Sequence, residues 1–282
     1  MSSIQEKFVM PAGMKKWGLA LTAIGVAALL AGVFFLLMSK EEHDRVRFWA
    51  VLLQNSVYFL LIVNASMFFI CAITLAWGGW QVALMRVPEA ISTLVPVFGV
   101  LALVVLMSIV FGTHDGHHIY HWLDKEAVAK DKILTGKKGF LNPVFFTVWS
   151  CLTIAAWWFL GMRMRQMSAK VNSQALSLDR AKKYQWNSTV RAALFLIAFA
   201  LTVTSTIPWL WLMSIDAHWY STMYSWYTFA STFVSGVSLI AIFVIFLKNK
   251  GYLEYVTQEH LHDLGKFMFA FSIFWTYLWF SQ

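Results

Sequence analysis

Six stretches of this chain, residues 17–38, 48–77, 90–111, 141–162, 192–213 and 223–247, contain no Asp, Glu, Lys, Arg or His. A bilayer's hydrocarbon core is about 30 Å thick and needs about 20 apolar residues as helix. Only a backbone that satisfies its own hydrogen bonds is tolerated there. Each run therefore predicts a membrane-crossing helix, and together they predict an all-α, polytopic transmembrane bundle forming one integral-membrane domain over 1–282. A seventh run, 267–282, holds 16 residues and stops without a cap or a flanking charge, so about seven spans are expected, the last continuing in a longer chain.

Composition excludes the main alternatives. The chain is 59% hydrophobic and 13% charged, against about 45–50% and about 25% in soluble domains. A soluble enzyme, a disordered chain and a secreted disulfide scaffold are excluded, since there are too few charges to cover a water-facing surface. The 15 Trp, 9 Tyr and 24 Phe suit aromatic belts at two membrane interfaces. The net charge of +8 points to anionic lipid rather than nucleic acid. The start, MSSIQEKFVMPAG, has no n-region followed by a cleavable apolar core, so the first run reads as retained.

Local signals agree with these spans. Pro88 and Glu89 suit the start of the third, where an N–H is orphaned and negative charge meets the helix dipole. Lys248, Lys250 and Gly251 suit the end of the sixth. Ala23, Ala27 and Ala31, and Ala28 with Gly32, let helices approach closely. Asn64, mid-span, is expected to make an interhelical hydrogen bond. The side holding the N-terminus carries 14 Lys and Arg with six acids, and the opposite side eight with eight acids. The positive-inside rule then places the N-terminus in the cytoplasm.

Chemistry-bearing residues sit at the span ends. Cys71 and Cys151 are too few for an iron–sulfur cluster, which takes about four Cys. No C-x-x-C-H stretch exists for covalent haem. None of the eight histidines lies inside a span, where a b-type haem between helices would need them. The stretch 114–134 is the densest in histidine. If helical, it pairs His114 with His118 and His117 with His121, four residues apart, as metal-binding helices do. It also reads as an interfacial amphipathic helix, with Ile119, Trp122, Leu123 and Val128 toward lipid and Glu126 paired with Lys130. His114, His117 and His118 match the H-x-x-H-H box of membrane di-iron hydroxylases and desaturases. That family uses several boxes, and this is the one present.

Asp216 and His218 are the only Asp, Glu, Lys, Arg or His in 192–247 and lie in a short connection among tryptophans. They read as a proton-transfer pair, since histidine titrates near 6.5 and a neighbour tunes it, or as an acid capping the sixth span. His260, His262, Asp263 and Lys266 read as a proton path from the opposite side, or as an ordinary solvated helix start. A solute transporter has no support, for neither inverted repeats nor broken spans are apparent.

The stretches MSIDAHWYSTMYSWYTFASTFVSG (213–236), LHDLGKFMFAFSIFWTYLWFSQ (261–282) and KDKILTGKKGFLNPVFF (130–146) resemble the ActF-type membrane subunit of alternative complex III. That complex is a bacterial quinol:cytochrome c oxidoreductase, and the subunit is related to the NrfD/polysulfide-reductase membrane family. The likeness spans most of 114–282, while 1–110 match in helix pattern. It implies two four-helix bundles with extra helices in the bacterial cytoplasmic membrane, continuing past FSQ. It implies as partners a multihaem cytochrome c, an iron–sulfur subunit, a paralogous NrfD-like subunit and in some cases a terminal oxidase. Haem c and iron–sulfur clusters then belong to partners, and this chain binds no cofactor. The paralogue is usually assigned the quinol site, leaving this subunit assembly and proton transfer. The reading of a self-contained histidine-box metalloenzyme stays open beside it.

Overall fold

A computed structural model describes residues 8–39, 41–112, 119–171 and 177–281, and every regular element among them is helical. The chain folds as an all-α bundle in which six helices are long and apolar enough to cross a membrane. The long elements are α1 (Ala12–Met38), α2 (Glu42–Leu75), the pair α3 (Arg86–Ser92) and α4 (Val95–Met107), α7 (Pro143–Val171), α8 (Leu178–Val203), α9 (Thr222–Asn249) and α10 (Gln258–Ser281). Two short helices, α5 (Lys125–Lys130) and α6 (Lys132–Lys137), lie in the connection before α7. Several helices outrun their apolar stretches. Thus α7 carries Arg163, Arg165 and Lys170 past the predicted end, and the seventh element is a 24-residue helix starting nine residues before its apolar run.

The centre of the bundle is α2, which packs against α3, α4, α8 and α9. Its 34 residues span about 51 Å at 1.5 Å per residue, and 78% of its most apolar window is buried. Aromatic rings join it to three other helices. Phe68 of α2 lies 4.6 Å from Phe199 of α8 and 5.7 Å from Phe233 of α9, and Phe233 lies 4.2 Å from Phe271 of α10. Such edge and tilted pairs add about 0.5–1.5 kcal/mol each beyond area burial. Gly236 of α9 rests directly on Ala65 of α2, where no side chain would fit. By contrast, none of the most apolar window of α1 is buried, and the helix packs chiefly on α2.

Two spans are broken, contrary to the sequence expectation. The third is interrupted at Thr93 and Leu94, between α3 and α4 and just before Pro96, where the N–H groups of Thr93 and Leu94 bond three residues back, to Ala90 and Ile91. The fifth breaks after α8 and continues as a wide turn, Thr206–Leu212, containing Pro208, and a tight one, Met213–Asp216. The cause is common to both. Proline has no N–H and its ring crowds the carbonyl four residues back. Pro208 thus leaves the Thr204 carbonyl without its helical donor, and Ser225 Oγ of α9 donates to that oxygen at 2.7 Å. Ser225→Ala should lower stability by about 0.6–1.7 kcal/mol, the range for interhelical hydrogen bonds in membranes. Thermal unfolding in detergent checks it, and an unchanged midpoint would mean the carbonyl finds another donor.

The α7–α8 seam is closed by a ladder of indole N–H groups. Trp157 donates to Thr202 at 2.8 Å, Trp149 to Thr206 at 2.7 Å, and Trp211 returns a bond to Ser150 at 2.8 Å. A buried indole N–H usually finds an acceptor, and for these three tryptophans hydroxyls across the seam supply it.

Candidate functional site

The site begins in the connection that precedes α7. Asp124 and Asp131 each accept backbone N–H bonds from the residues that follow, Asp124 from Glu126 and Asp131 from Ile133 and Leu134. Each is therefore an N-cap, and two caps seven residues apart divide the stretch into α5 and α6. That overturns the single amphipathic helix over 114–134. Ile119 and Trp122 do not face lipid either. They are 4% and 5% exposed, and Trp122 packs against Tyr120 and Phe146. Tyr120, fully buried, donates its hydroxyl to the Trp211 carbonyl at 2.8 Å.

This connection is latched onto the one between the fifth and sixth spans. Lys137 Nζ donates to the Ala217 carbonyl at 2.5 Å. His218 Nε2 lies 2.5 Å from Asp131 Oδ2, and His218 Nδ1 lies 3.8 Å from Asp216 Oδ1. The imidazole therefore sits between two carboxylates, the nearer of which the sequence reading did not single out. The Asp131 carboxyl is held below the usual carboxylate range, first by the Ile133 N–H, against partial desolvation, and further by His218 and the Leu134 N–H. Asp216 also accepts the backbone N–H of His218 at 3.1 Å, closing its own turn. It does not cap the sixth span. Ser221 does, accepting from the Tyr224 N–H. An apolar recess of about 410 Å³ opens beside the latch, lined by Lys137, Trp209, Trp219 and Tyr220 among others.

Other expected residues fall out differently. His114, His117 and His118 lie outside the described residues, so the H-x-x-H-H box has no structural reading here. His121 is exposed and opens a single tight turn, His121–Leu123. On the opposite face, His260 Nδ1 accepts from the backbone N–H and the hydroxyl of Thr257, at 3.1 and 2.8 Å, and so helps cap α10. His262 is exposed, and Asp263 pairs with Lys266 at 3.0 Å, one turn apart. Asn64 is buried but makes no interhelical hydrogen bond, since neither polar atom of its side chain has a partner.

The same face as α10's start holds a cluster that the sequence reading reduced to a helix-dipole acid. Glu89 is 3% exposed and pairs with Arg86 at 2.7 Å, one turn back. Arg86 also donates to Ser168 Oγ of α7 at 2.7 Å, and Tyr184 of α8 hydrogen-bonds Ser168. The i,i+3 spacing of Arg86 and Glu89 was the available signal; the partners on α7 and α8 come from packing alone. Cys71 is buried within α2 and Cys151 is exposed on α7, neither in a disulfide. Among the described residues no group of three or more His, Cys, Asp or Glu is arranged to hold a metal.

Against models of known protein families and against curated proteins, the chain finds no match.

Proposed function

We propose that this chain is a cofactor-free integral subunit of a membrane quinol:cytochrome c oxidoreductase of the alternative complex III type, serving assembly and proton transfer at the face holding Asp131, Asp216 and His218. The observation that carries the reading is the likeness of residues 213–236, 261–282 and 130–146 to that subunit. These stretches are also neighbours in space. Asp131 and Lys137 of the 130–146 stretch bond His218 and the Ala217 carbonyl of 213–221, and α9 and α10 form the most extensive helix pair of the bundle. Its partners are a multihaem cytochrome c, an iron–sulfur subunit, a paralogous NrfD-like subunit and, in some complexes, a terminal oxidase, with haem c and iron–sulfur clusters housed outside this chain. Its place is the bacterial inner membrane.

Purification in a gentle detergent tests the assignment. Haem c and iron–sulfur subunits should be recovered with the chain in fixed ratio. Recovery of the chain alone, carrying stoichiometric iron, would favour the histidine-box metalloenzyme instead.

The charge asymmetry adds a topology. The N-terminus and the connection holding Ser177 lie in the cytoplasm, and the latch lies in the periplasm. In intact cells a membrane-impermeant maleimide should label Tyr220→Cys, whose native side is 79% exposed, and leave Ser177→Cys untouched. The reverse pattern would invert the orientation.

A further inference from the structure

The unpartnered side chain of Asn64 lines a cavity of about 170 Å³ between α2, the break in the third span and α7. Its other walls include Ser92, Thr93, Pro96 and Trp157, with Arg165 at an exposed rim. Asn64 is 0% exposed, and both its amide nitrogen and its carbonyl oxygen are buried without a hydrogen bond. Leaving such a group dry costs about 1–3 kcal/mol per unmet bond. In a span, where no bulk water relieves it, that cost argues for an occupant.

The chemistry of the wall says which kind. Ser92 Oγ donates to the Glu89 carbonyl at 2.8 Å, and Thr93 Oγ1 to the Ala90 carbonyl at 2.6 Å. Both hydroxyl hydrogens are thus used inside the helix, and their lone pairs remain. Pro96 has no N–H for the Ser92 carbonyl, four residues back. Asn64 adds one more acceptor and two donors. An anion would meet these oxygens. A bare cation would meet Arg165 and the positive N-terminal end of α4. A neutral molecule that both donates and accepts fits all of them, and at about 30 Å³ per water the space holds several.

We infer that this cavity binds a cluster of ordered water, fed from the face where Arg165 lies, with Asn64 as its innermost ligand. The break at Thr93 and Leu94 is then a hydrated fault in the third span, carrying solvent from a positively charged face into the packed interior. The inference stands whether or not the chain serves a quinol-oxidising complex.

Hydroxyl-radical footprinting of the purified protein tests it, because radicals born on bound water modify the side chains touching that water. Met67 and Trp157 line the cavity and are 0% and 1% exposed. Met164 and Trp211, 4% and 0% exposed, do not line it and serve as controls. Met67 and Trp157 should be oxidised at least severalfold faster than these controls. In Asn64→Leu their labelling should fall to the control rate and the thermal midpoint should drop. Control-rate labelling in the wild-type protein overturns the inference, and needs no variant to fold. So does a higher midpoint for Asn64→Leu, because removing two dry, unpartnered atoms would stabilise the bundle.

Discussion

Gly236→Ala is expected to force α2 and α9 apart and to destabilise the bundle more than any other single methyl group added to it. A Cβ at this position would lie 2.5 Å from the Ala65 Cβ and 3.3 Å from the Ile62 carbonyl oxygen. Carbon atoms rest at about 3.5–4.0 Å, so the helices must separate by about 1 Å. The obstacle is backbone and a Cβ, and neither can rotate away. The Phe68–Phe233 contact, 5.7 Å between ring centres, spans the same two helices and would loosen with them. Overpacking costs about 1–3 kcal/mol and occasionally more; alanine here should reach the upper end, and leucine should prevent recovery of a monodisperse protein. Ala65→Gly in the same chain should restore part of the loss by removing the facing Cβ. Gly25→Ala in α1, where nothing lies within 4 Å, should cost nothing. Thermal unfolding of Gly236→Ala, of Gly236→Ala with Ala65→Gly, and of Gly25→Ala checks this, and equal midpoints for Gly236→Ala and Gly25→Ala would refute the close approach.

The spans were legible because the bilayer's thickness is written as run length. Charge-free runs located the helices, and the all-helical class with six membrane-length helices follows from them. Helix ends were less legible. Charged turns such as Arg163 to Lys170 continue α7, because a helix needs no apolar solvent once its backbone is bonded internally. The breaks were written as Pro96 and Pro208, but the runs around them stay apolar, so hydropathy passes over them. What a single sequence cannot show is which distant groups meet. Asp131 sits in a charged stretch 87 residues from His218 and looks like any solvated acid. Ser168 and Tyr184 are ordinary polar residues until packing brings Arg86 and Glu89 to them. Asn64 was expected to bond across helices on general grounds; its surroundings at the broken third span could not be read from its neighbours in the chain.

Under the proposed role, Asp131→Asn should lower quinol:cytochrome c turnover by roughly tenfold and shift its pH profile, while the complex stays assembled. The amide keeps the oxygen that accepts from Ile133 and Leu134, so the cap on α6 survives. It cannot carry the negative charge that faces His218 Nε2 at 2.5 Å. The loss would fall below the about 10²–10⁴ typical of an essential acid or base, because Asp216 remains on the other ring nitrogen at 3.8 Å. Asp216→Asn should act in the same direction and less strongly, and the double variant should lose more than either. A purely structural latch makes a different prediction. The Asp131 carboxyl is depressed on folding, so its contribution to stability is present above the unfolded value of about 3.9 and is lost as pH falls through its lower folded value. Acid should therefore loosen the latch only below about pH 4, well below neutral pH. Hydrogen exchange across 213–221 reads the latch, and turnover against pH reads the proton. Faster exchange in Asp131→Asn with an unchanged pH profile would leave Asp131 and His218 a clasp between two connections and remove them from proton transfer.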